Sequence, residues 1–189
     1  MQPYKIILGS QSPRRKELLA GLGYTFSCRT TDADEVFPDS LIGEEIPIYL
    51  SRLKAEALIS TLQEDELLIT ADTIVWHNAQ VLGKPRNEKE AHEMLRALSG
   101  ETHEVITGVT LTSLQRQTSF AVNTKVRFSV LTEEEIAHYV HHFHPLDKAG
   151  AYGIQEWIGY IGVEYIEGSY FNVMGLPVQR LYKELKSWK

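Results

Sequence analysis

Hydrophobic positions along this chain recur at strand spacing and at helix spacing, and the two kinds of segment alternate. Short apolar or alternating runs predict strands at residues 4–8, 24–29, 67–76, 81–86, 105–111 and 120–130. Apolar residues three and four apart predict helices that start at residue 13 and span about 44–62, 87–99, 132–145 and 177–188. A turn at 114–117 joins the predicted strands 105–111 and 120–130 into a hairpin. The pattern favours an α/β fold with a mixed sheet, which we expect to form two lobes with a cleft between them.

The first strand leads into a polar turn, and the helix that follows begins with positive charge. Ser12 is a typical N-cap and Pro13 suits the first helical position. Arg14 and Arg15 then occupy a turn whose unpaired N–H groups already carry partial positive charge, where stability alone favours acidic residues. An anion held by the N–H groups, serine hydroxyls and guanidinium groups explains this arrangement. The alternative is a solvated basic turn.

Three further charged side chains are candidates for chemistry. Asp72 interrupts the apolar run 67–76, so its carboxylate needs a hydrogen-bond, ionic or metal partner. This favours a catalytic or metal-binding role, and the alternative is an aspartate that caps a loop at the strand end. Lys54 lies beside the apolar stripe of a long helix, and the alternative is a surface lysine, which is the commoner fate at such a position. Lys84 belongs to a second basic cluster.

A small-residue stretch, 147–155, ends in Gln155. Small residues allow close approach of the backbone to a ligand, and a glutamine amide offers both a donor and an acceptor, as reading a base edge requires. The alternative is a plain glycine-rich connection. Four histidines crowd the end of the helix before it, but no acidic partner with fitting spacing supports a metal site there.

Composition and net charge argue against several classes of function. The net charge of −6 argues against general binding of nucleic acids, which depends on many Lys and Arg contacts to phosphate. No apolar run is long enough to cross a bilayer, so no membrane partner is expected. Cys28 is the only cysteine, which excludes an internal disulfide and fits the reducing cytoplasm, our expected location.

Several short motifs, taken together and in this order, resemble the Maf family of nucleoside triphosphate pyrophosphatases. The resemblance covers essentially all of residues 1–189, which we treat as one domain. The motifs are Ser10-Gln11-Ser12-Pro13-Arg14-Arg15, Leu53-Lys54-Ala55, Ala71-Asp72-Thr73, Gly83-Lys84-Pro85, Thr107-Gly108-Val109, Asp147-Lys148-Ala149-Gly150-Ala151-Tyr152-Gly153-Ile154-Gln155 and Asn172-Val173-Met174-Gly175-Leu176-Pro177.

The resemblance implies an elongated mixed sheet flanked by helices, related to the inosine triphosphatase fold, a divalent metal (Mg²⁺ or Mn²⁺) and often a homodimer. It also implies a house-cleaning hydrolase that converts a nucleoside triphosphate to the monophosphate and pyrophosphate. The Ala-Asp-Thr and Gly-Ile-Gln forms resemble the branch that acts on dTTP and UTP. The alternatives are a pyrophosphatase for modified purine nucleotides and a non-hydrolysing nucleotide-binding regulator of cell division.

Residue roles follow from the family motifs and from the chemistry of a triphosphate. Positive charge and hydrogen bonds compensate the phosphates, carboxylates hold the metal, and one carboxylate activates water for attack on the α-phosphorus. The assignments are Ser10, Arg14 and Arg15 for substrate binding; Lys54, Lys84 and Asp72 for catalysis; Glu35 and Asp72 for the metal, with Asp34 as an alternative to Glu35; and Arg14, Thr73 and Gln155 for the choice of base.

Overall fold

The computed structural model describes residues 4–30 and 35–188, which hold seven β-strands and seven α-helices. The strands are β1 (Lys5–Leu8), β2 (Phe26–Cys28), β3 (Glu66–His77), β4 (Gln80–Leu82), β5 (Thr102–Thr112), β6 (Gln117–Phe128) and β7 (Val163–Glu167). The helices are α1 (Pro13–Gly21), α2 (Glu45–Ile59), α3 (Glu88–Leu98), α4 (Glu133–Phe143), α5 (Trp157–Gly162), α6 (Tyr170–Met174) and α7 (Val178–Ser187).

The strands form one sheet in the order β2-β1-β3-β5-β6-β7, with β4 paired to β3. β1 runs parallel to β2 and to β3, whereas β4 is antiparallel to β3 and β7 is antiparallel to β6. The predicted α/β class and mixed sheet are therefore confirmed. The central run 67–76 is a buried strand as predicted, because its apolar side chains are covered on both faces.

The chain divides into two compact units, each built from discontinuous segments. Unit 1 comprises Met1–Asp72, Thr107–Val122 and Gly175–Lys189, and unit 2 comprises Thr73–Ile106 and Asn123–Met174. Because β3, β5 and β6 each contribute residues to both, neither unit is a contiguous piece of sequence.

The core of unit 1 forms where α2 packs on β1 and β3, around Ile7, Ala55, Leu58, Leu62 and Leu68. The residues that form the buried face of α2 differ in part from the predicted apolar positions. Tyr49 is one of the residues whose helical spacing predicts the helix at about 44–62, yet it is 38% exposed, and the buried face includes Ser51. The hydroxyl of Ser51 is buried because it hydrogen-bonds within the fold, so a polar residue occupies a core position that periodicity assigns to an apolar one.

The core of unit 2 is larger and is built from α3, α4 and the strands beneath them. Both helices begin as their sequences predict. Asn87 caps α3, and Thr132 forms a capping box with Glu135 at the start of α4. An aromatic cluster of His103, Phe128 and Tyr152 fills the centre, with ring centroids 4.9–5.4 Å apart.

The segment 157–167 was not predicted as regular structure and folds as α5 followed directly by β7. The backbone of α5 approaches the preceding turn closely at Gly159, since a Cβ there would lie 1.8 Å from the Ile154 carbonyl oxygen. The segment's aromatic and aliphatic residues divide between core and surface: Ile158 is fully buried and Tyr160 is 81% exposed.

Candidate active site

Six of the nine predicted site residues belong to unit 1, and the first group of them surrounds the start of α1. Ser12 caps the helix by accepting a hydrogen bond from the Arg15 N–H at 3.4 Å, and its own N–H donates to the Ser10 hydroxyl at 3.2 Å. The first turn contains no acidic residue and carries Arg14 instead. The turn therefore combines hydroxyls, helix N–H groups and guanidinium charge, which is the chemistry of an anion site.

Arg15 is tied into the fold as well as charged. Its Nε donates to the Gly175 carbonyl oxygen at 2.8 Å, which joins α1 to the C-terminal segment of unit 1. Burial lowers the pKa of Arg15, while the nearby carboxylates of Asp72 and Glu35 act in the opposite direction. These two carboxylates therefore lie close enough to Arg15 to interact with its guanidinium group electrostatically.

Lys54 connects those two carboxylates. Its Nζ lies 2.5 Å from Asp72 Oδ1 and 2.9 Å from Glu35 Oε1. The Lys54 and Asp72 side chains are only 14% and 9% exposed, so water screens this pair weakly. The three residues are distant in sequence, and the structure brings together all three side chains that were predicted separately.

Helix α2 presents Lys54 at this position because polar and steric contacts fix it on the sheet. Thr70 Oγ1 donates to the Ser51 carbonyl oxygen at 2.7 Å, and the Ser51 hydroxyl lies 2.7 Å from Thr110 Oγ1. Gly108 allows the close approach, since a Cβ there would lie 2.3 Å from the Pro47 backbone. The glycine of the Thr-Gly-Val motif thus has a structural explanation.

Glu35 and Asp72 suit a hard divalent cation. Mg²⁺ typically takes one or two carboxylates and completes its shell with water and substrate phosphate. Two carboxylates already converge on one cationic group in unit 1, so their oxygens fit this requirement. Asp34, the alternative ligand, lies outside the described residues. Within residues 4–30 and 35–188, no group of three or more His, Cys, Asp and Glu side chains is arranged to hold a metal.

The other three predicted residues belong to unit 2. Thr73 follows Asp72 directly on β3, Lys84 is exposed after β4, and Gln155 is partly buried before α5. The Gly150 N–H donates to the Gly83 carbonyl oxygen at 3.1 Å, so the basic cluster and the small-residue stretch are neighbours within the unit. The Gln155 side-chain oxygen, Oε1, is buried and has no hydrogen-bond partner among the residues described.

Sequence reasoning missed a network beside Gln155. Lys148, Tyr139 and Glu156 form hydrogen bonds and ion pairs around the small-residue stretch, and Lys148 is buried. Lys148 was visible as the one cation within the stretch 147–155. Its partner Glu156 and the helix residue Tyr139 gave no signal, because nothing in the sequence shows that they meet.

The family follows from comparison with known proteins. A family model described as a Maf-like protein matches residues 5–188. The chain belongs to the Maf family. The resemblance predicted from the motifs is thereby confirmed over nearly the full length of this Maf chain.

Three curated relatives of this Maf chain share one name. A protein of Bacteroides fragilis named dTTP/UTP pyrophosphatase is 60% identical over 97% of this chain and 95% of its own length. A protein of Phocaeicola vulgatus with the same name is 58% identical over 98% of this chain and 97% of its own length. Another, from Porphyromonas gingivalis, is 51% identical over 100% of this chain and 96% of its own length. Among solved structures, a nucleoside-triphosphatase (dITP/XTP pyrophosphatase) of Mycobacterium abscessus aligns over 67% of this chain and 75% of its own, with a TM-score of 0.43 and 12% identity.

No helix in the described residues has the length and apolar character needed to span a membrane.

Proposed function

We propose that this Maf-family chain is a nucleoside triphosphate pyrophosphatase that hydrolyses dTTP and UTP to the monophosphate and pyrophosphate. The observation that carries the proposal is the group formed by Glu35, Lys54 and Asp72 beside the basic first turn of α1. The name shared by the curated relatives supports the nucleotide choice.

The phosphate tail binds at the start of α1 in this scheme. Ser10, Arg14 and Arg15, with the helix N–H groups, compensate its negative charge. Lys54 offsets one of the two negative charges of the neighbouring carboxylates, which reduces their repulsion of a polyanion. Positioning and charge compensation of this kind supply most of the catalysis in phosphoryl transfer.

Asp72 is the general base of the proposed reaction. Its carboxylate takes a proton from a water molecule as the water oxygen forms a bond to the α-phosphorus. The bond between the α-phosphorus and the oxygen that bridges to the β-phosphorus breaks, and pyrophosphate leaves. Lys54 and Lys84 stabilise the charge that develops on the leaving group.

Glu35 and Asp72 would hold Mg²⁺ or Mn²⁺. When bound there, the cation would supply further charge neutralisation at the phosphates. The choice of base is assigned to Arg14, Thr73 and Gln155. The unpaired Oε1 of Gln155 supports this assignment, because a buried acceptor without a partner in the described chain is suited to a ligand donor.

A nucleotide panel tests the proposal. The protein is incubated with each of the common and modified nucleoside triphosphates and with Mg²⁺ or Mn²⁺, and released pyrophosphate is measured. We expect release chiefly from dTTP and UTP. Tight binding without release would indicate a regulatory binding module, and release mainly from modified purine nucleotides would indicate the other enzyme class.

We also propose that the enzyme is cytoplasmic and does not bind nucleic acids, in line with the net charge of −6 and the single cysteine, and that it forms a homodimer, as the family resemblance implies. Size-exclusion chromatography with light scattering tests the dimer, and a monomer at micromolar concentration would contradict it.

A further inference from the structure

The turn that carries Gln155 is held from both sides by one buried hydroxyl. Tyr139, fully buried on α4, accepts a hydrogen bond from the Gly153 N–H at 3.0 Å and donates to Glu156 Oε2. The turn is closed by the Glu156 N–H, which donates to the Gly153 carbonyl oxygen at 3.0 Å. Gln155 lies between these two anchored residues.

A buried lysine completes the arrangement. Lys148 Nζ lies 3.1 Å from Glu156 Oε1 and 2.7 Å from Asp147 Oδ1, and its side chain is 9% exposed. Each carboxylate oxygen of Glu156 therefore has its own donor. Gly153 leaves space for the pair, because a Cβ there would lie 2.9 Å from Glu156 Cδ and 3.0 Å from Lys148 Cε. Burial and the neighbouring Glu156 raise the pKa of Tyr139, so its hydroxyl remains a donor at neutral pH.

Reading a pyrimidine with a glutamine requires such restraint. Thymine and uracil present a carbonyl acceptor beside an N–H donor, and cytosine presents the reverse pattern. A glutamine amide has one acceptor and one pair of donors, so half a turn about its terminal bond fits it to either base. Glutamine alone therefore discriminates poorly, and discrimination depends on how firmly its surroundings fix the amide.

We propose that Tyr139 and Glu156 are positioning residues that give Gln155 its selectivity for thymine and uracil over cytosine, through the hydrogen bonds that fix the 153–156 turn. This inference rests on the proposed role of Gln155 in base reading. It adds that selectivity resides in the support of the turn as well as in the amide itself.

The experiment compares kcat/KM for dTTP and dCTP in the full-length protein. Tyr139→Phe removes only the hydroxyl, and Glu156→Ala removes the acceptor for both Tyr139 and Lys148. We expect each variant to lower the dTTP:dCTP ratio by about tenfold, the effect of one well-placed hydrogen bond. Part of the fall should come from faster dCTP turnover than in the wild type, which general damage to the fold would not produce.

Matched controls and a double variant complete the design. Tyr165→Phe and Glu164→Ala alter exposed side chains of the same unit and should leave the ratio unchanged. In a Gln155→Ala background, Tyr139→Phe should not change the ratio further. Glu156→Gln retains one acceptor and should restore part of the selectivity.

Each unfavourable result has a separate meaning. If Gln155→Ala lowers the ratio and both Tyr139→Phe and Glu156→Ala leave it within twofold of the wild type, the positioning role is refuted while base reading by Gln155 stands. If Gln155→Ala itself leaves the ratio unchanged, base reading fails, and the positioning role fails with it. Thermal unfolding of each variant verifies that the protein is folded, and the partly exposed Glu156 provides the test if Tyr139→Phe does not fold.

Discussion

Replacing Asp72 by asparagine separates its chemical role from its structural one. Asparagine keeps an oxygen acceptor toward Lys54, which lies 2.5 Å away in the wild type, and Lys54 retains Glu35 at 2.9 Å. The lysine is therefore not left without a carboxylate, and we expect Asp72→Asn to lower the free energy of unfolding by only about 1–2 kcal/mol. For a chain of this size, that corresponds to a fall in Tm of about 2–8 °C.

Activity should respond far more strongly than stability. Loss of a general base alone typically costs about 10²–10⁴ in rate, and the same change removes one proposed metal ligand. We therefore expect pyrophosphate release from dTTP to fall at least about 10³-fold. Asp65→Asn is the matched control, since Asp65 also pairs with a lysine in unit 1, at 2.7 Å, but both partners are largely exposed.

The assay is pyrophosphate release at saturating dTTP and Mg²⁺, with circular dichroism and thermal unfolding measured on the same samples. Asp65→Asn should match the wild type in both measurements. Near-normal turnover by a folded Asp72→Asn protein would refute the assignment of the base. Equal losses in Asp72→Asn and Asp65→Asn would show instead that removing any lysine-paired carboxylate damages this unit.

Four further outcomes are expected. Gln155→Ala should weaken discrimination on a nucleotide panel more than it lowers Tm, and unchanged selectivity would contradict base reading. Lys84→Ala should raise KM, lower kcat or both, and equal kinetics would place this lysine outside the reaction. Gly108→Ala should destabilise the protein by about 3 kcal/mol, since the new Cβ would lie 2.3 Å from the Pro47 backbone, and denaturant unfolding measures this. Burial and the neighbouring histidine lower the pKa of His103 to about 3, so the stability of the wild type should fall as the pH drops from about 6.5 toward 3. His103→Gln should reduce that loss by about 2 kcal/mol at pH 5. A variant whose stability depends on pH in the same way as the wild type would contradict this prediction.

Local sequence signals predicted most of the elements, because each depends on residues close together in the chain. The N-cap Ser12 with Pro13, the start of α4 after Thr132 and the apolar run of β3 all appear where they were expected. The segment 157–167 was missed because its two glycines and its mixed burial obscure both helical and strand periodicity.

Contacts between distant residues could not be read from the sequence. Motif resemblance identified Lys54 and Asp72 separately, but only the folded chain shows that one ammonium bridges Asp72 and Glu35. For the same reason the sequence did not predict the hydrogen bonds of Tyr139 and Glu156 around Gly153. A tyrosine at an inward-facing position of a helix indicates only that it packs in the core. The roles assigned to these residues stay predictions until the variants are measured.

The bond between the Arg15 side chain and the Gly175 carbonyl has a consequence for biosynthesis. Its two ends are separated by 160 residues, so a ribosome must add the whole intervening segment before the acceptor exists. A nascent chain stalled or cleaved before that point lacks this anchor for the guanidinium group at the start of α1. The start of α1 therefore reaches its finished geometry only after the segment around Gly175 has been synthesised, and translation that stops before residue 175 should leave a product that binds nucleotide less well.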